Sequence, residues 1–221
     1  MRGRMRSIVM VAWALALGMS AARAEEAKPA QPAMDPAKQA AMEAMHKAGS
    51  PGEAHQALEP LVGHWTYTAQ FWMSPDAPPQ TMAGTSVNSL VFGGRFLKQE
   101  ILGEGMEGQP AFEGLGFTGY DNLRKAYQSI WLDNMATGMM TGAGTFDAAT
   151  RTLASQGDFS CPVTGETHRW FRAGWTVVDR DHNTYESYFR TPDGREFKAM
   201  VIHYTRHAHE GAPCPPGVDR C

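Results

Sequence analysis

The histidines and cysteines near the C-terminus are the residue types in this chain that most often hold metal ions. His203, His207 and His209 precede Cys214 and Cys221, and imidazole with thiolate is a ligand set for zinc or copper. None of their spacings matches a recognised zinc module. We therefore expect no metal site and no cofactor.

A second group of polar side chains shares short segments with aromatic residues, and this mixture suits a pocket for a small molecule. Such a pocket combines an apolar wall with a few polar groups that orient the ligand. The candidate ligand-binding residues are Tyr67, Arg95, Glu100, Tyr120, Trp131, Asp133, Glu186 and Tyr188. The alternative is a solid aromatic core with the charged side chains on the outside.

Two carboxylates are candidates for acid–base chemistry. Asp133 follows Trp131 by two positions, and Asp121 precedes Asn122 in the stretch GYDN. The Asp-Asn pair is typical of a hairpin turn, whereas both a turn role and a functional role stay open for Asp133. The sequence contains no G-x-S-x-G, no P-loop and no G-x-G-x-x-G followed by a helix, so it assigns no catalytic residue and favours binding over catalysis.

These candidate residues lie in segments with strict apolar alternation. Residues 61–72 read LVGHWTYTAQFW, and from Trp65 onward every second residue is apolar, which is the period of a half-buried strand. The same kind of segment recurs along the chain, separated by short stretches rich in Gly, Pro, Asp and Asn that predict turns. The predicted strands are 64–73, 80–91, 95–103, 110–120, 125–133, 137–146, 150–159, 166–179, 184–191 and 195–206.

The order of these segments predicts the fold class. No helical pattern lies between the strands, so short turns must connect them in an antiparallel meander. A sheet of this length removes its exposed edges by closing on itself. We therefore predict an all-β protein, a closed antiparallel up-and-down β-barrel of about ten strands with an N-terminal helical segment. Barrels of this size have room for a ligand.

The N-terminus has the organisation of a secretory signal peptide. Three arginines within the first six residues precede an apolar run over residues 8–17 and an A-x-A site at residues 22–24. This pattern predicts cleavage after Ala24 and a periplasmic or secreted protein. The apolar run is too short for a transmembrane span, and the alternative to cleavage is an uncleaved N-terminal anchor.

Helix start and end signals, together with local composition, predict the domain boundaries. Asp35 followed by Pro36 is typical of a helix start, and Gly49 is typical of a helix end. A second short helix is expected over residues 53–58. The predicted parts are a signal peptide at 1–24, a disordered linker at 25–34, a helical segment at 35–60 that covers one mouth of the barrel, the barrel at 61–207 and a tail at 208–221.

Charge and cysteine content add two further expectations. The net charge is −3 and 19% of residues are charged, so the chain lacks the basic field that binds nucleic acid. Because exported cysteines are commonly oxidised, we favour a disulfide between Cys214 and Cys221, which flank PPGVDR. Cys161 is then either free or bridges to the tail in their place.

The first and last strands of the predicted barrel carry residues that resemble a known superfamily. Gly63-His64-Trp65 opens the first strand and Arg206 ends the last, which is similar to the calycin pattern of lipocalins and fatty-acid-binding proteins. The resemblance implies that Gly63 and Trp65 close one end of the barrel and that Arg206 packs across the indole. Cation–π attraction and burial both favour that arrangement.

A longer set of motifs resembles one bacterial family across residues 42–206. The motifs are HQALEPLVGHW, FGGRFL, FEGLGFTGYDN, WLDNMATGMM, GTFDAATRTL, TPDGREFKAM and YTR. In this order they resemble the family known as domain of unknown function number 1579, which carries no reaction with it. The cysteine-containing tail departs from what we expect of that family.

The expected function is non-covalent binding of a small apolar or amphipathic molecule inside the barrel, by analogy at the level of the fold. One alternative is an isomerase or hydrolase that uses an acid or a histidine inside the cavity. Another is a filled barrel whose outer face binds a partner protein. The sequence indicates neither the ligand nor the oligomeric state.

Overall fold

The computed structural model describes residues 34–104 and 110–207. Within these ranges the ten strands are β1 (Gly63–Phe71), β2 (Gln80–Val91), β3 (Phe96–Gly103), β4 (Phe112–Asp121), β5 (Ala126–Asp133), β6 (Met140–Asp147), β7 (Thr152–Phe159), β8 (Arg169–Val177), β9 (His182–Arg190) and β10 (Glu196–Arg206). Each strand pairs antiparallel with the next, and β1 also pairs with β10, so the sheet is a closed barrel. The predicted fold is confirmed, and every strand begins and ends within three residues of its predicted position.

Helices precede the barrel, as predicted. They are α1 (Pro36–Gly49), α2 (Glu53–Gln56) and a 3₁₀ turn at Glu59–Leu61. The side chain of Asp35 accepts a hydrogen bond of 2.8 Å from the backbone N–H of Ala37, which is the N-cap that the sequence predicts. Among the described residues, no helix has the length and apolar character needed to cross a membrane.

The residues after α1 close one end of the barrel. Leu58 and Leu61 are 1% and 2% exposed and pack in one buried cluster with Leu97, Trp175 and Val177. Burying two leucines at this end excludes water from the barrel floor and contributes about 1.5–3 kcal/mol each. The helical segment therefore seals the barrel end that we call the closed end.

Two hairpin turns hold the C-terminal end of α1 at this closed end. Arg95 Nε, in the turn between β2 and β3, donates to the carbonyl of Gly49 at 2.8 Å. Asn122 Nδ2, in the turn between β4 and β5, donates to the carbonyls of Ala48 at 2.9 Å and Ser50 at 2.8 Å. These bonds satisfy carbonyls that the end of a helix leaves unpaired.

The Gly-x-Trp step of β1 lies at the closed end. Trp65 is 1% exposed, its Nε1 donates to the carbonyl of Leu61 at 3.0 Å, and the Arg206 guanidinium lies 4.1 Å from its ring centroid. Arg206 Nη1 also donates to the carbonyl of Val62 at 2.8 Å. Gly63 has a φ of +136°, and a Cβ there would collide with this guanidinium. Only glycine fits the first position of the step.

Candidate ligand-binding cavity

A cavity of about 420 Å³ occupies the barrel above the closed end. Its floor is formed by Leu97, Tyr127, Leu153 and Trp175, which also belong to the cluster that holds Leu58 and Leu61. Its other boundary is formed by the turns at the opposite end of the barrel, including residues 135–139. The cavity is therefore closed at the helical end and opens at the other end, which we call the mouth.

Small inward-facing residues leave this space unfilled. Ser155 on β7 lines the cavity, and its neighbours across the sheet are Gly144 on β6 and Ala173 on β8. Gly116 on β4 also lines the cavity. Side chains of this size cannot meet at the barrel axis, so the interior is hollow rather than filled.

Methionines are concentrated at the mouth. The methionines that line the cavity are Met82, Met135, Met139, Met140 and Met200. The aromatic rings of Phe112, Phe159 and Phe189 line the same cavity. Unbranched thioether side chains adapt to irregular apolar shapes and make favourable contacts with aromatic rings, so this end suits an apolar body of variable outline.

A chain of buried polar side chains runs down one wall. Gln99 Nε2 donates to the hydroxyl of Tyr204 at 3.4 Å and to Ser86 Oγ at 3.3 Å. Ser86 Oγ donates to Asn88 Oδ1 at 2.8 Å, and Asn88 Nδ2 donates to the carbonyl of Leu61 at 2.9 Å. Buried polar groups that pair with one another need no ligand to satisfy them. This chain therefore stabilises the wall and joins it to the closed end.

Tyr67 differs from these paired groups. Its side chain lines the cavity and the residue is 4% exposed, and its hydroxyl has no hydrogen-bond partner among the described residues. Burial raises the pKa of Tyr67 to about 12, and the negative charge of Glu104 adds to the shift. Tyr67 therefore holds a neutral phenol in the cavity wall, with a hydroxyl that is itself buried and unpaired among the described residues.

Trp131 and Asp133 form a single unit near the mouth. Trp131 Nε1 donates to Asp133 Oδ2 at 2.9 Å, and the backbone N–H of Met135 donates to Asp133 Oδ1 at 3.0 Å. Both residues line the cavity, and the indole lies against Gly114 and Gly116, where a Cβ would collide with its ring. Asp133 therefore fixes the turn and also orients Trp131 over the cavity, and its acid–base role stays a prediction.

Residues 50–206 match the family model described as "Protein of unknown function (DUF1579)". The chain belongs to this family. Two solved structures share its fold. Rv2717c from M. tuberculosis is 16% identical over 72% of this chain and 100% of that chain, with a TM-score of 0.52. The S-type phycobiliprotein lyase CPES from Guillardia theta is 11% identical over 72% of this chain and 99% of that chain, with a TM-score of 0.50. No curated protein matches this chain.

In this member of the DUF1579 family, three of the predicted ligand-binding residues lie on the outer face of the barrel. Glu100 pairs with Lys98 at 2.7 Å, Glu186 pairs with Lys198, and the Tyr188 hydroxyl donates to Glu186 at 3.1 Å. The structure corrects their expected position, because each lies one residue out of phase with the inward positions of its strand.

Arg95 and Tyr120 also lie outside the cavity, at the closed end. Arg95 belongs to the turn that holds α1, and the Tyr120 ring packs edge-on against His55 at 5.9 Å and against Tyr127 at 5.0 Å between centroids. Tyr127 forms part of the cavity floor, so Tyr120 lies beneath it. The cavity therefore brings together three of the predicted residues, which are Tyr67, Trp131 and Asp133.

The polar lining residues that the sequence interpretation missed include Gln99, Glu104, Tyr185 and Tyr204. The signal that identifies three of them is strand parity. Leu97 and Ile101 are buried on β3, and Gln99 lies between them at the same period of two. Tyr185 and Tyr204 likewise share the inward phase of their strands.

Of the three cysteines, the structure describes Cys161. It is buried and free, and Arg169 Nη1 donates to its Sγ at 3.2 Å. Burial opposes ionisation of this thiol, but hydrogen bonds from Thr164 and Arg169 outweigh burial and lower its pKa. The predicted pair Cys214 and Cys221 lies outside the described residues, as does the signal peptide. Within residues 34–104 and 110–207, no cluster of three His, Cys, Asp or Glu is placed to hold a metal ion.

Proposed function

We propose that this protein binds a small, largely apolar molecule non-covalently inside the barrel, after export to the periplasm. The observation that supports binding is the cavity of about 420 Å³, which is closed at one end, apolar over most of its wall and supplied with a few polar groups. Its size and lining are those of small-molecule sites in proteins. Export is supported by the signal-peptide pattern of residues 1–24.

The lining favours binding over catalysis. Among the described residues that line the cavity there is no histidine, and the two acids, Glu104 and Asp133, lie toward the mouth. A general acid or base is expected beside the reacting atoms, in a site that holds the substrate and excludes water. The likeness to a phycobiliprotein lyase concerns the fold, and activity does not follow from a shared fold.

A cavity-blocking variant tests the proposal. Ser155→Trp places an indole in the hollow beside Gly144 and Ala173, and the Ser155 side chain that it replaces makes no hydrogen bond to another described residue. We expect it to weaken binding of N-phenyl-1-naphthylamine, a neutral apolar fluorophore, by about tenfold or more, since the occupied volume is lost. The measurement is a fluorescence titration that gives the Kd and the stoichiometry.

The matched control is Ala154→Trp. Ala154 is the preceding residue of β7 and is exposed on the outer face, so the same indole is added at the same height outside the barrel. We expect the Kd for the fluorophore to stay within about twofold of the unmodified protein. If both variants weaken binding of the fluorophore equally, or if neither variant weakens it, the probe does not occupy the cavity. Circular dichroism of each variant reports whether the barrel is intact.

A further inference from the structure

The charged groups that line the cavity have one sign. Among the described residues, the charged side chains of the lining are Glu104 and Asp133, and no lysine or arginine lines it. A mouth of this kind has a negative potential that low-dielectric walls strengthen. It attracts a positively charged group and repels a carboxylate or a sulfate.

Neither acid at the mouth is neutralised by a cation. In the described part of the chain neither Glu104 nor Asp133 has a salt bridge, whereas Glu100 and Glu196 on the outer face each have one. Glu100 lies 2.7 Å from Lys98 and Glu196 lies 2.7 Å from Arg172. A carboxylate without a protein cation beside it can take its counter-charge from a bound ligand. The mouth is therefore the part of the cavity suited to a cationic group.

Tyr67 lies on the same side of the cavity as Glu104. Its phenol oxygen is buried and has no hydrogen-bond partner among the described residues, and a Cβ on Gly103, the residue before Glu104, would lie 2.6 Å from it. Burial raises the pKa of Tyr67, and the negative charge of Glu104 adds to the shift. The mouth therefore holds an acid beside a buried oxygen that lacks a donor.

Arg169 is a buried cation that packs against the lining residue Phe189, and its Nη1 is already engaged, whereas its Nε has no hydrogen-bond partner among the described residues. Its guanidinium donates to Cys161 Sγ at 3.2 Å and lies 3.8 Å from Glu166. It also stacks at 5.0 Å on the ring of Phe189. The side chain is absent from the cavity lining, so an anion inside the mouth would lose its hydration without gaining a counter-charge.

On the basis of the proposed function, we propose that the cavity selects amphiphiles by charge. It binds a molecule with an apolar body and an ammonium head group. The body occupies the apolar interior and the ammonium group lies at the mouth against Glu104. Amphiphiles with an anionic head group, including fatty acids, bind more weakly than a neutral molecule of the same chain length.

A series of ligands with one chain length tests this inference. Dodecylammonium, 1-dodecanol and dodecanoate displace N-phenyl-1-naphthylamine from the protein, each used below its critical micelle concentration. We expect dodecylammonium to bind about fivefold or more tightly than the alcohol, and dodecanoate to bind about fivefold or more weakly. Both differences decrease as the ionic strength rises from about 10 mM to about 0.5 M, because salt screens charges near solvent.

Glu104→Gln is the informative variant, and Glu113→Gln is its control. Glu104→Gln is expected to lower the ratio of dodecylammonium affinity to alcohol affinity toward one. Glu113 is exposed on β4 at the same end of the barrel and does not line the cavity. Glu113→Gln removes the same charge from the protein, and the ratio of ammonium to alcohol affinity should stay as it was.

Three results would overturn the inference in distinguishable ways. If the fluorophore binds and dodecanoate displaces it as well as dodecylammonium does, charge selection is absent while the binding function stands. If Glu104→Gln and Glu113→Gln reduce the preference equally, net charge and not the mouth causes it. If neither the fluorophore nor any of the three amphiphiles binds, the proposed function fails and the inference fails with it.

Discussion

Trp65→Ala is expected to lower the free energy of unfolding by about 3–5 kcal/mol, the range for large aromatic side chains removed from cores. Trp65 is 1% exposed, and its loss leaves a space under the Arg206 guanidinium, which lies 4.1 Å from the ring centroid. The variant also removes the donor that pairs with the carbonyl of Leu61. Chemical denaturation followed by circular dichroism measures the change as a lower midpoint.

Trp170→Ala is the matched control for this prediction. Trp170 lies on β8 with its ring on the outer face, where the Arg190 guanidinium stacks at 3.7 Å. Removing an indole that is only partly buried costs about 1 kcal/mol. A denaturation midpoint unchanged by Trp65→Ala, or lowered equally by both variants, would contradict the role of Trp65 in closing the barrel.

The second large effect is a loss of stability at alkaline pH. Burial raises the pKa of Tyr67 to about 12, with a smaller contribution from Glu104, and burial raises the pKa of Tyr185 to about 12. In the unfolded chain both phenols ionise near pH 10. Between pH 10 and pH 12 the unfolded chain therefore binds fewer protons than the folded protein, so the free energy of unfolding falls as the pH rises.

Each of these tyrosines contributes on the order of 2 kcal/mol to the change. The stability is fully present below pH 10 and is lost as the pH passes through the raised pKa values. Urea denaturation at several pH values from 9 to about 12 measures the slope. The double variant Tyr67→Phe, Tyr185→Phe should make this slope smaller, while Tyr188→Phe on the outer face should leave it unchanged. Burial also raises the pKa of Tyr204, so part of the slope remains in the double variant. A slope that the double variant does not reduce would contradict this assignment.

Local sequence patterns were sufficient to predict the fold. Alternation and turn residues located each strand because neighbouring strands are joined by short turns and pair in chain order, so every pairing except that of β1 with β10 is local in sequence. The Asp35 cap is likewise a contact between positions two apart. The position of Arg206 beside Trp65 was implied by family resemblance, since the chain between them carries no local signal of it.

The candidate site was predicted less well, for two physical reasons. A shift of one residue moves a side chain to the other face of a strand, and this is how Glu100, Glu186 and Tyr188 were assigned to the interior. The hydrogen bond from Gln99 to Tyr204 joins residues 105 positions apart, and no periodicity within either strand indicates it. The choice between a hollow and a filled barrel depends on small residues such as Ser155, Gly144 and Ala173 facing one another across three strands.

The most direct test of the binding function is native mass spectrometry of the protein purified gently from the periplasm, followed by mass analysis after denaturation. We predict a chain that lacks residues 1–24 and carries one small molecule, which denaturation releases. The identity of that molecule then reports its apolar body and its head group. A protein that is empty when isolated and forms no one-to-one complex with N-phenyl-1-naphthylamine would contradict the account.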